Sequence, residues 1–156
     1  MEESVKNKSK DDSQTCNFTS YLKGAMNLPE TDIKTFSPLT LAYIGDGIYD
    51  LIIRTMVVKR GNAPVNKLHK CVSGMVKAPA QMELYHSIEE SLTEEEQTIF
   101  KRGRNAKSFT TAKNASMIEY RTATGFEALM GYLYLTDRME RIIELINLGL
   151  DKVSWE

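Results

Sequence analysis

The stretch LTLAYIGDGIYDLIIRTMVVKR, residues 39–60, follows Ser37-Pro38 and runs into Gly61. Serine is a good N-cap, and proline at the first helical position loses no hydrogen bond. Lys59 and Arg60 suit the negative end of a helix dipole, and Gly61 is a stop signal. The segment therefore predicts one helix of about six turns. It is apolar nearly all the way round, and one layer of neighbours in a small monomer would have difficulty covering it. Burial in a subunit interface would remove that difficulty.

Working outward from this helix, the prolines at 64 and 79 open helices expected from Pro64 to about Lys77 and from about Pro79 to Glu90. Thr93-Glu94-Glu95-Glu96 has the capping-box pattern and starts a short helix towards Arg102, with Gly103 expected to end it. Residues 103–116 hold glycine, asparagines, threonines and basic side chains without an apolar period, and are expected to form a loop. Phe126, Leu129, Met130 and Leu133 recur at helical spacing, predicting a helix from Met117 or Thr122 to Leu135. Thr136 or Asp137 is expected to cap a last helix, buried along Met139, Ile142, Ile143 and Ile146 and ending before Gly149. On the other side, residues 1–17 are polar and mixed in charge, and are expected to be a flexible leader to a single domain over 18–156. There is no internal repeat and no convincing hairpin, so the fold class is all-α.

Composition excludes several functions. Twenty Lys and Arg against twenty-one Asp and Glu leave a net charge of -1, so an anionic partner would need a local patch. The N-terminus lacks the apolar core of a secretory signal, and Leu39–Val58 is interrupted by Asp46, Asp50 and Arg54, which argues against a membrane span. A cytoplasmic location is expected. Cys16 and Cys71 form no CxxC pair, and His69 and His86 have neither an adjacent Asp nor an HExxH spacing. No glycine-rich phosphate cradle is present.

Three features can carry chemistry. Asp46 lies between Gly45 and Gly47, where two glycines cost a helix about 2 kcal/mol relative to alanines. Their missing side chains would let another backbone or a ligand approach, and Asp50 lies one turn on along the same face. Glu127, in GFEALMGYLYL, is likewise accompanied by a glycine one turn on, Gly131. If the two glycine faces pack together, the acids converge in a partly dry cleft and repel, a conflict that a divalent cation resolves. Mg²⁺ suits such a site, because it takes oxygen ligands and commonly uses only one or two protein carboxylates. The third feature is KRGRNAK, residues 101–107, in which Lys101, Arg102, Arg104 and Lys107 are followed by Lys113, with no acid until Glu119. With Asn105, Ser108, Thr110 and Thr111, this patch suits phosphate and ribose contacts. Taken singly, each feature also fits a plain helix carboxylate or a solvated charged face.

Together, LAYIGDGIYDL and GFEALMGYLYL resemble the two acidic helices of the ribonuclease III catalytic domain. KRGRNAKS, residues 101–108, resembles the distinctive loop of its Mini-III branch, which consists of that domain alone. The likeness extends from about Leu39 to Leu148. It implies an all-α homodimer that cleaves double-stranded RNA with Mg²⁺, leaves 5′-phosphate and 3′-hydroxyl ends, and matures 23S ribosomal RNA. It also implies that Asp46 and Glu127 are the catalytic, metal-binding carboxylates. Larger family members carry further acids where Leu39, Ala42 and Thr124 stand here, so the metal site is thin in protein ligands; whether Asp50 adds an outer-shell contact stays open. The rival readings are a non-catalytic RNA-binding protein of the same fold and a helical interaction module with a structural cation.

Overall fold

The structure, a computed structural model, describes residues 17–107 and 116–153. The chain divides into two compact units, residues 1–30 and 31–156. Among the described residues there is no β-strand, and no described helix is long and apolar enough to cross a membrane. The leader expected over 1–17 lies outside the described residues except for Asn17. That residue caps a helix, α1 (Phe18–Ala25), accepting a hydrogen bond from the Thr19 amide at 3.0 Å. Composition alone did not signal α1.

The second unit begins with a one-turn 3₁₀ helix, Ile33–Thr35. The predicted long helix follows as α2 (Pro38–Lys59), with the Ser37 hydroxyl accepting from the Leu39 amide and Gly61 taking up φ +143° beyond its end. Next come α3 (Val65–Val76) and α4 (Ala78–Ile88), the latter extended by a 3₁₀ turn at Glu89–Ser91. α5 (Glu94–Arg104) opens with both bonds of the expected capping box between Thr93 and Glu96. Glu96 is also buried against Arg141, whose guanidinium donates to both carboxylate oxygens at 2.8 and 2.9 Å and so ties the start of α5 to the last helix. α6 (Met117–Leu135) is the central helix, in contact with α2, α4, α5 and α7. α7 is Met139–Lys152.

Three boundary expectations are corrected. α5 does not stop at Gly103 but continues to Arg104, because Gly103 is a packing residue: a Cβ there would lie 2.7 Å from the Ala128 Cβ and 2.9 Å from the Gly125 Cα of α6. Likewise α7 runs past Gly149, whose missing side chain makes room for Leu84 of α4. Neither Thr136 nor Asp137 caps α7. Thr136 closes α6, Asp137 turns through φ +61°, and the N-cap is Arg138 with no side-chain bond. A glycine inside a charged, polar stretch reads as a stop, while in three dimensions it marks where two helices touch.

The apolar character of α2 has the expected consequence. Its inner face supplies Leu41, Ile48, Tyr49, Ile53 and Val57 to the core, yet Tyr43, Leu51 and Val58 remain 82%, 59% and 56% exposed. Among the described residues, part of the apolar surface of this helix stays exposed.

Candidate active site

Every residue of α6 from Thr122 to Leu133 is buried except Glu127, which is half-buried. A carboxylate thus interrupts the most deeply enclosed helix of the molecule. It does so where α2 comes closest: a Cβ on Gly45 would lie 1.7 Å from the Glu127 carbonyl oxygen, and one on Gly131 would lie 1.9 Å from the Leu41 carbonyl oxygen. The two approaches pair 45 with 127 and 41 with 131, so the helices run antiparallel in backbone contact. Only glycine permits this. Asp46, the next residue along α2, is brought to the level of Glu127, as the paired glycines implied.

Gly47 behaves differently. A Cβ at that position would meet nothing within 4 Å, so only one of the two glycines flanking Asp46 is required by packing among the described residues. Of the two expected alternatives, approach by another backbone or by a ligand, the backbone one is met at Gly45, while Gly47 faces open space.

Asp46 is solvent-facing, while Glu127 sits deeper. Burial and then the Asp46 charge push the Glu127 carboxyl up to about 7. Partial burial and the charge of Asp50 raise Asp46 above the ordinary carboxylate range. Both shifts follow from desolvation and like-charge repulsion, and a cation between the acids would relieve them. The donor set is all oxygen. Among the described residues no group of three or more His, Cys, Asp or Glu converges, so a cation here would take two protein carboxylates, a number that fits a hard divalent ion completing its shell with water and phosphate. Asp50 acts on Asp46 through its charge, and its own carboxylate accepts a hydrogen bond from Arg54 one turn on. At the positions where larger family members carry acids, Ala42 is buried and the Thr124 hydroxyl bonds back to the Tyr120 carbonyl at 3.0 Å.

One participant escaped the sequence reading. Gln81 of α4 is fully enclosed, and its side-chain nitrogen donates to the Glu127 Oε1 at 3.1 Å and to the Val76 carbonyl at 2.8 Å. The available signal was a polar residue on the stripe Gln81, Leu84, Tyr85 and Ile88, which is otherwise the apolar side of α4.

The basic segment divides into anchored and exposed members. Because Gly103 packs on Gly125 and Ala128, the end of α5 lies within a turn of Glu127 along α6. Arg104 folds over the Phe100 ring at 5.7 Å and donates to the Asn105 side chain, and Arg102 donates to the Phe36 carbonyl. Lys101 and Lys107 are exposed, with no hydrogen bond or ion pair among the described residues. Lys113, Ser108, Thr110 and Thr111 lie outside the described residues. A second basic surface went unread: between Asp50 and Glu83 the chain has Arg54, Lys59, Arg60, Lys67, Lys70 and Lys77 and no acid. Four of them, Arg60, Lys67, Lys70 and Lys77, line a single cleft on α3.

Two helices in backbone contact thus bring Asp46 and Glu127 to one level. The ribonuclease III domain family model matches residues 39–138, from the start of α2 to the N-cap of α7. The chain belongs to the ribonuclease III domain family. That membership makes it an endoribonuclease acting on RNA. It is 52% identical over 121 residues to the Mini-ribonuclease 3 of Clostridium tetani, covering 77% of this chain and 80% of that one. Over 125 residues it is 51% identical to the Mini-ribonuclease 3 of Enterococcus faecalis, covering 79% and 95%. A crystal structure of a Fusobacterium nucleatum protein superposes with a TM-score of 0.70 at 35% identity, covering 79% of this chain and 98% of that one.

Proposed function

We propose that this ribonuclease III-family chain is a Mg²⁺-dependent endonuclease of double-stranded RNA, a Mini-III enzyme, with Asp46 and Glu127 as its catalytic, metal-binding carboxylates. The observation that carries this reading is the backbone contact of α2 with α6, which sets two mutually repelling acids at one level. When bound, Mg²⁺ supplies a Lewis acid at the scissile phosphate and lowers the pKa of the attacking water, chemistry that yields 5′-phosphate and 3′-hydroxyl ends. Asp46 and Glu127 hold it there, and Glu127 must give up its proton to do so. Lys101 and Lys107, with Arg102, Arg104, Asn105 and Lys113 of the same segment, hold backbone phosphates of the duplex. The four cations lining the α3 cleft offer a second surface for phosphates. Recognition is mainly of A-form shape and 2′-hydroxyls.

The exposed Tyr43, Leu51 and Val58 of α2 support a homodimer, each subunit cutting one strand. The family resemblance points to precursor 23S ribosomal RNA as the cellular duplex, in the cytoplasm, with residues 18–156 as the catalytic domain. Incubating the protein with a long RNA duplex in Mg²⁺ or in EDTA tests the reading. Cleavage in Mg²⁺ that EDTA abolishes is expected, whereas binding without cleavage would favour a non-catalytic RNA-binding role.

A further inference from the structure

We propose that Gln81 is the positioning residue of the acidic pair, its side-chain amide setting the direction in which Glu127 presents its carboxylate to a divalent cation. The inference rests on the reading of Glu127 as a metal ligand and concerns what holds that ligand still.

Gln81 is 2% exposed, in the second turn of α4. Its amide nitrogen has two hydrogens and two acceptors, the Val76 carbonyl at 2.8 Å and the Glu127 Oε1 at 3.1 Å. A backbone carbonyl can only accept, so the nitrogen end of the amide must face it, and the orientation of the whole group follows. The anchor is itself fixed. Val76 ends α3, and the preceding carbonyl, that of Met75, accepts a hydrogen bond from the buried Tyr49 hydroxyl of α2 at 3.1 Å. A chain of contacts thus runs from α2 through the α3–α4 corner to Glu127 on α6.

Glutamate has three rotatable side-chain bonds, and α6 alone does not choose among its rotamers. With Oε1 held by Gln81, the carboxylate keeps one orientation and Oε2 is left for other partners. Polar groups behind a ligating carboxylate commonly set metal affinity in this way. A purely structural Gln81 would need one bond, to Val76, to join α3 to α4. The second bond, to Glu127, adds nothing to that joint. Gln81 also bears a cost: its Oε1 is buried with no hydrogen-bond partner among the described residues, and an unpaired buried acceptor is destabilising. An apolar residue would avoid that cost but would leave Glu127 without its donor.

Gln81→Met in the full chain, unbranched and close in volume but without donors, tests the proposal. Direct Mn²⁺ binding by electron paramagnetic resonance should weaken about 10- to 100-fold, and the Mg²⁺ midpoint of duplex cleavage should rise by a similar factor. Duplex affinity in EDTA should stay unchanged. A folded variant with Mn²⁺ affinity and Mg²⁺ midpoint within about twofold of wild type would overturn the proposal. Should Gln81→Met fail to fold, the side-chain amide resonances of Gln81 in wild-type protein decide: they should shift on Mg²⁺ titration, and unmoved resonances would overturn it. Glu127→Gln, measured in parallel, separates the two levels. If it keeps Mn²⁺ binding, the metal-site reading falls and this proposal with it; if it loses binding while Gln81→Met keeps it, only the role of Gln81 falls.

Discussion

The α2–α6 seam and the end of α5 meet the same central helix, each through glycine, but with different tolerance. At the seam an added Cβ would strike backbone carbonyl oxygens, at 1.7 Å from Gly45 and 1.9 Å from Gly131. At the α5 contact the Gly103 Cβ would meet the Ala128 Cβ at 2.7 Å and the Gly125 Cα at 2.9 Å, and the Gly125 Cβ would meet chiefly the Phe100 ring and carbonyl. Neither contact relaxes without moving a helix, but the second is looser by about an ångström and so needs the smaller shift. The acids ride on the tighter contact and the basic side chains on the looser one. That division would suit the tasks proposed for them: ligands of a small cation need fixed positions, while phosphates spread along a duplex can be met by flexible side chains.

The largest effect should come from breaking the seam. Gly45→Ala is expected to lower stability by at least about 3 kcal/mol in urea unfolding, and Gly103→Ala by about 1–2 kcal/mol. Gly47→Ala is the control, since its Cβ would meet nothing within 4 Å among the described residues; it should raise stability by up to about 1 kcal/mol through helix propensity. Equal losses at Gly45 and Gly103 would erase the distinction.

A second effect follows from the strain that the seam stores. Folded Glu127, pushed up to about 7 by burial and Asp46, holds its proton more tightly than an unfolded glutamate titrating near about 4.3. The metal-free protein should therefore be favoured at low pH and lose stability as pH rises from about 4.3 to about 7. At about 1.4 kcal/mol per unit, the loss is about 2–3 kcal/mol once coupling to Asp46 is allowed for. Thermal melts in EDTA should show wild type falling relative to Glu127→Gln across that window. Parallel curves would mean that Glu127 carries no such strain.

The smallest effect should belong to the basic side. Lys101→Ala with Lys107→Ala is expected to reduce the salt slope of duplex binding by up to about two, with stability unchanged. Arg104→Ala should also disturb packing, through the lost stacking on Phe100, by about 0.5–1 kcal/mol. If the double lysine variant binds with wild-type salt dependence, the segment is no phosphate contact.

Much of this arrangement could be read from residues alone. Ser37-Pro38, the Thr93–Glu96 box and the apolar spacing of α6 are local signals, and each produced the expected helix start or face. Asp46 and Glu127 were visible because charge and glycine seldom stand together in an apolar helix. Gly103 and Gly149 were misread because one-dimensional patterns do not distinguish a helix stop from a helix contact. Gln81 escaped because its meaning lies in a partner 46 residues away. The α3 cleft had a signal, six cations without an acid from 51 to 82, which apolar residues and turns diluted.

Cleavage of a long RNA duplex by purified Asp46→Asn in saturating Mg²⁺ is the most direct measurement. The carboxylate is solvent-facing, so the variant should fold, bind duplex RNA and cut at least about 100-fold more slowly. A folded Asp46→Asn protein cutting at close to the wild-type rate would contradict the assignment of the α2–α6 seam as the active site.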